Sequence, residues 1–125
     1  MNLEMTRDAR VTRPDLVVLS LRGELDIDCA PALQAEGLVI VESNCQHLLL
    51  ALDGLLHIDS KGLGAFIEMR QRMRCKGGTI SLVCNNPSTR RLFRITNLER
   101  LFDFYESIEE FLRSYGESVQ SVPVV

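Results

Sequence analysis

No apolar run in this 125-residue sequence exceeds the five residues from Leu48 to Leu52, far short of the ~20 that a membrane-spanning helix requires. Near the start, Glu4 and Asp8 interrupt any signal-like apolar region, so secretion is not expected and the expected address is cytoplasmic. The four cysteines, Cys29, Cys45, Cys75 and Cys84, form no CxxC pair, and no histidine stands at ligand spacing from any of them. A zinc site is therefore not expected. They read as small, mostly buried thiols, with Cys29 set apart as a possible redox position because it opens a predicted helix, where a thiolate can be stabilised. No cofactor fingerprint is complete. Gly62-x-Gly64 opens a helix, but Ile67 takes the third glycine's place, and Cys84 and Asn85 stand where a ribose-binding acid would be needed. A phosphate-cradling P-loop is absent too. Nor does a linker, repeat or low-complexity segment divide the chain, so residues 1–116 are expected to form one domain and 117–125, without periodicity, a flexible tail.

What is present is the composition of an ordinary globular domain, 46% hydrophobic and 25% charged, which excludes a disordered chain. The net charge of −3 hides an uneven distribution. Residues 61–100 carry nine lysines and arginines against Glu68 and Glu99, a balance of +7, which leaves −10 for the remainder. Such a band suits an acidic partner, a phosphate or nucleic acid, and equally a set of solvated helix faces. Phe66 and Phe93 are its only aromatics, so stacking on bases finds little support.

The hydrophobic pattern orders the chain as β-β-α-β-α-β-α-(β)-α. Met1, Leu3 and Met5 alternate as a short edge strand, and Asp15 to Arg22 follows as an antiparallel neighbour after the Arg13-Pro14 turn. A helix starts near Asp28-Cys29 with Pro31 in its first turn and Leu33, Gly37 or Leu38, and Val41 on one face. His47 to Asp53 reads as a strand covered on both faces, and 54–59 as a turn. The next helix runs from Ser60 to about Lys76, with Leu63, Phe66, Ile67, Arg70, Met73 and Arg74 on one face, and stops at Gly77-Gly78. Thr79 to Cys84 is a strand, Asn86-Pro87 opens a short helix with Leu92, Phe93 and Ile95, and Phe102 to Tyr105 is a last short strand. A capping box at Ser107–Glu110 opens the final helix, with Ile108, Phe111 and Leu112, and Gly116 closes it. Helices alternating with strands predict a layered α/β domain, its mixed sheet parallel in the centre with an antiparallel N-terminal pair, and its helices packed mainly on one face.

Asp59-Ser60 is the outstanding candidate site. It follows a strand and opens a helix, where unpaired amides and the positive end of the helix dipole would favour a phosphate on Ser60. The plainer alternative is that Ser60 or Asp59 caps the helix and that Gly62 and Gly64 serve close packing. His57, Asp59 and Ser60 are neighbours in sequence, but adjacent positions rarely give nucleophile–base geometry, and catalysis is not expected.

The stretch Leu50-Ala51-Leu52-Asp53 … Ile58-Asp59-Ser60-Lys61-Gly62-Leu63-Gly64 resembles the signature of the STAS family, specifically the bacterial anti-sigma-factor antagonists. Gly23-Glu24-Leu25-Asp26 with Ala30-Pro31, then Gly77-Gly78, Arg91-Leu92-Phe93 and Thr96-Asn97-Leu98 … Leu101-Phe102, continue the resemblance in order from about residue 10 to 114. The resemblance implies a small switch protein without cofactor or metal, not a catalyst. Its partner would be an anti-sigma factor, often itself a serine kinase that phosphorylates the antagonist and so abolishes binding, and a separate phosphatase would reset it. Carried over, the acceptor is Ser60, and Asp26, Asp59, Lys61, Gly62, Leu63 and Gly64 contribute to the partner surface. No membrane or direct nucleic-acid contact is implied, and the protein would be a monomer or weak dimer. A non-switching STAS scaffold or transport-accessory subunit is the competing expectation. Three residues depart from the family pattern: Lys61 stands where a small hydroxyl residue is common, Cys29 where a threonine commonly caps the first helix, and Asn97 where glycine is common. Asparagine also tolerates left-handed backbone, so the last change is mild.

Overall fold

The computed structural model describes residues 3–120. Its elements are β1 (Leu3–Arg7), β2 (Leu16–Leu25), α1 (Ala30–Val41), β3 (His47–Ile58), α2 (Ser60–Cys75), β4 (Thr79–Val83), α3 (Pro87–Ile95), β5 (Asp103–Tyr105) and α4 (Ile108–Gln120), with a 3-10 turn at Glu99–Leu101 before β5. The five strands form one sheet in the order β1-β2-β3-β4-β5. β1 pairs antiparallel with β2, and every later pair is parallel. This is the expected mixed α/β architecture. Met1 of the expected edge strand lies outside the described residues.

Alternation along the strands separates two cores. Leu19, Leu21, Leu48, Leu50, Leu52 and Leu82 face α1, α2 and α3, while Leu16, Val18, Leu49, Ala51 and Val83 face α4 through Phe111. Three helices thus cover one face and one helix part of the other.

β3 extends through the segment expected to be a turn, reaching Ile58. Its pairing with β2 shifts register twice, between Ser20 and Arg22 and between Gly23 and Glu24. Each shift places an extra residue in β3, which keeps Leu52, Leu55 and Ile58 in the same core at a spacing of three. Period-two reasoning therefore loses the strand at Asp53, while its backbone continues.

Helix faces also differ in detail from expectation. α1 buries Ala30, Leu33, Gly37 and Ile40, with Gly37 rather than Leu38 inward because the Met69 side chain lies against it. α2 buries Gly62, Leu63, Ala65, Phe66, Met69 and Met73, and Arg74 is exposed. Arg70 reaches past the face to donate from Nε to the Leu101 carbonyl at 2.6 Å. On α3 Phe93 is buried and contacts Phe66, Phe102 and Phe104 at 5.3–6.2 Å, but Ile95 faces solvent.

Helix ends follow local chemistry. Gly77 (φ 82°) and Asn97 (φ 62°) take the left-handed conformation that ends α2 and α3, and the next amides, Gly78 and Leu98, bond back to Met73 and Phe93 at 2.8 and 2.9 Å. Asn86 caps α3, its side chain accepting from the Ser88 amide at 2.9 Å. At α4 the Ser107 hydroxyl accepts from the Glu110 amide at 3.0 Å, and Glu110 accepts from the Glu106 amide at 2.7 Å. The helix continues through Gly116 to Gln120, past the expected stop, since a single glycine weakens a helix without terminating it. Residues 121–125 of the expected tail lie outside the described residues.

Candidate functional site

β2 and β3 are parallel neighbours whose last residues, Leu25 and Ile58, are paired. The loops that follow them, Asp26–Cys29 and Asp59, therefore emerge side by side at the carboxyl edge of the sheet. The Asp59 amide donates to the Leu25 carbonyl at 3.1 Å and ties the two together. Gly62, in the first turn of α2, lies so close that a Cβ would meet Leu25 Cγ at 2.6 Å and its carbonyl oxygen at 2.9 Å.

Asp59 caps α2. Its backbone is extended, and Oδ1 accepts from the Lys61 and Gly62 amides at 3.0 and 3.1 Å. Ser60 is thus the first helical residue, exposed, with its hydroxyl free of the capping role. This corrects the expectation of a set of open amides: two amides of the first turn already serve the Asp59 carboxylate. A phosphate on Ser60 would stand at the positive end of α2 and beside that carboxylate together.

Asp26 closes the turn that leads into α1, where Cys29 and not Asp26 holds the cap position. Its Oδ1 accepts from the Asp28 and Cys29 amides, both at 3.1 Å. Desolvation pushes its carboxyl upward, but the bonds from Cys29 and Asp28 outweigh it and hold the group below its ordinary value. Cys29, at the cap position, makes no side-chain cap bond. It is 5% exposed, so the thiol expected to be redox-sensitive is enclosed, whereas Cys75 is the exposed one. Burial raises the thiol pKa of both Cys45 and Cys84.

The seven expected partner-surface residues divide. Ser60, Lys61 and Gly64 are exposed, and Asp26 and Asp59 are half-buried, Asp26 bonded to the turn before α1 and Asp59 capping α2. Leu63 is 5% exposed and belongs to the core, and Gly62 abuts Leu25, so these two shape the surface from beneath. A Cβ added at Gly64 would meet nothing within 4 Å, so the glycine leaves the outer side of this turn flat. Sequence reading missed Ile27, 60% exposed beside Asp26; its signal was an apolar residue held between two aspartates in a loop.

No hydrogen bond joins His57 to Ser60 among the described residues, and no cluster of three metal-ligating side chains occurs among them. A hollow of about 970 Å³ lies on the other face of the sheet, lined by Arg22, Asp53, Leu56 and Ile108 among others. Much of the basic band is used within the fold. Arg72 pairs with Glu68 and Arg90 with Glu99, each at 3.1 Å, and Lys76 Nζ donates to the Val41 and Ser43 carbonyls at 2.7 and 2.9 Å.

Two parallel strand ends, an aspartate bonded to the turn after each, and an exposed serine at the start of α2 form one compact edge of the sheet. The STAS domain family matches residues 8–111, and the chain belongs to that family. The anti-sigma-B factor antagonist of Bacillus subtilis (strain 168) is 31% identical over 103 residues, 82% of this chain and 91% of that one. The anti-sigma F factor antagonist of Paenibacillus polymyxa is 27% identical over 93 residues, 74% of this chain and 80% of its own length. The crystal structure of an anti-sigma factor antagonist from Mycobacterium paratuberculosis superposes with a TM-score of 0.79 at 23% identity, covering 90% of this chain and 93% of that one.

Proposed function

We propose that this protein is an anti-sigma factor antagonist: it binds an anti-sigma factor through the edge around Ser60 and thereby releases a sigma factor. It acts by binding and not by catalysis, and its relatives' names support that role over a scaffold or transport-accessory one. Phosphorylation of Ser60 by a partner serine kinase switches the binding off, and a phosphatase restores it. The observation that carries the switch is the division of labour at the start of α2. Asp59 holds the helix, so Ser60 presents a free hydroxyl that can be modified without unmaking the cap.

A phosphate adds about −1.5 to −2 charges. Next to the carboxylates of Asp59 and Asp26 it makes the edge strongly anionic, and docking would have to bury that charge unpaired. Lys61, exposed one residue on, is the nearest cation in sequence and tempers the repulsion within the free protein. Affinity is lost while the fold is kept.

The test incubates the protein with its anti-sigma kinase and ATP, with mass spectrometry and binding measured on the unaltered chain and on Ser60→Ala. Phosphate on Ser60, absent from the variant and accompanied by loss of binding, is the expected result. Tight binding without modification would remove the switch and keep the antagonist; no binding would remove both.

A further inference from the structure

α1 is apolar on the outside as well as the inside. A helix that is hydrophobic all round is ordinarily covered on every side, yet only one side of α1 meets the sheet and α2. Its buried residues are Ala30, Leu33, Gly37 and Ile40; its exposed ones are Pro31, Ala32, Gln34, Ala35, Leu38 and Val39, with Gln34 the single polar side chain among them. Leu38 is 39% and Val39 58% exposed. The strip continues past the start of the helix, because the Ala30 amide bonds to the Asp26 carbonyl at 2.8 Å and closes a helical turn that sets Ile27 one turn ahead of Pro31. It therefore begins beside Asp26 and Ser60 and runs the length of α1.

Charge marks its ends. Asp28 and Glu42 are exposed, and neither takes part in an ion pair among the described residues, whereas Glu36, at the strip's border, is held by Arg7 at 3.1 Å. A second copy of the chain fits this face poorly. Antiparallel pairing of two α1 helices sets Asp28 against Glu42, parallel pairing sets each acid against itself, and like charges across an interface oppose association.

We infer that the outer face of α1 is a second half of the partner-binding surface, occupied by an apolar helix of the anti-sigma factor whose ends carry lysine or arginine opposite Asp28 and Glu42. The inference rests on the antagonist reading. It makes the docking surface bipartite: the Ser60 edge is sensitive to phosphate, and the α1 strip supplies apolar area that phosphate does not touch. A helix laid in an apolar strip with charged ends is a common recognition mode.

The experiment measures affinity of the full-length protein for the anti-sigma factor it antagonises by titration calorimetry, with Val39→Asp, Glu42→Lys, Ser60→Glu and, on the exposed side of α4, Arg113→Glu. Sedimentation of each free variant runs alongside. All four sites are exposed, and circular dichroism checks that the fold is kept. Val39→Asp is expected to weaken binding tenfold or more and Glu42→Lys three- to tenfold, with Arg113→Glu unchanged and the unaltered chain monomeric. Val39→Asp within twofold of the unaltered chain, with Ser60→Glu abolishing binding, would overturn the inference and leave the antagonist reading standing. A dimer of the unaltered chain that Val39→Asp dissolves would overturn it in favour of a second copy. Failure of the unaltered chain to bind any anti-sigma factor would overturn both.

Discussion

Two glycines of α2, separated by a single residue, should respond oppositely to the same change. Replacing glycine by alanine within a helix contributes about 0.5–1 kcal/mol through reduced backbone entropy in the unfolded chain. At Gly64 nothing lies within 4 Å of the added methyl, so Gly64→Ala should gain that full amount. At Gly62 the methyl would meet Leu25 Cγ at 2.6 Å and the Leu25 carbonyl oxygen at 2.9 Å. Leu25 is fully buried, and its carbonyl accepts the Asp59 amide, so neither can move without disturbing the joint between β2 and α2. Overpacking of this kind costs about 1–3 kcal/mol, which exceeds the propensity gain. The two variants should differ by about 2 kcal/mol, with Gly64→Ala above the unaltered protein and Gly62→Ala below it. Urea unfolding reads this directly, since midpoints move while slopes stay constant. Equal stability of the two variants would refute the argument that Gly62 is retained for the approach of α2 to β2. Binding should not follow stability here: under the proposed function Gly64→Ala, folded and more stable, should still lose affinity for an anti-sigma factor because its methyl stands on the proposed docking edge.

Removal of the α2 cap by Asp59→Ala should cost about 1 kcal/mol in urea unfolding, and Ser60→Ala much less, because the aspartate carries the capping bonds. At the opposite end of the sheet the Tyr115 hydroxyl donates to Asp15 at 2.7 Å. Desolvation and that bond raise the Tyr115 pKa to about 12, so its contribution is complete below pH 10 and is lost as pH rises toward 12. Tyr115→Phe should cost about 1–2 kcal/mol at pH 7 and remove that alkaline decline from a plot of stability against pH. Asp15 is held below its ordinary value mainly by the Tyr115 bond, so its share is present above about pH 4 and is lost as pH falls through the lowered value. A disulfide thiol reagent should modify Cys75 rapidly in the native protein and Cys29, Cys45 and Cys84 only on unfolding, with Cys75→Ser abolishing the fast phase.

The segments with strong local signals were legible from the chain alone: the alternation of β4, the Asn86-Pro87 start of α3, the Ser107 cap and the stop at Gly77. Each depends on chemistry within a few residues, where sequence distance and spatial distance coincide. The order of strands and helices likewise fixed the mixed sheet, because parallel neighbours require crossover helices. The edge around Ser60 was legible in its residues but not in their roles. That Asp59 caps α2 while Ser60 stays free depends on backbone angles that Asp59 takes on leaving β3. That Leu63 turns inward and Gly64 outward depends on how α2 lies across the sheet, and Gly62 decides that only by meeting Leu25, 37 positions earlier. The continuation of β3 beyond Asp53 needed β2 beside it, since its register shifts exist only as pairings. Which cysteine is reachable, which basic side chains are spent on carbonyls and which face of α1 is left uncovered are all properties of neighbours distant in the chain. Local bonding wrote the elements; only long-range packing could decide which of their surfaces remain available to a partner.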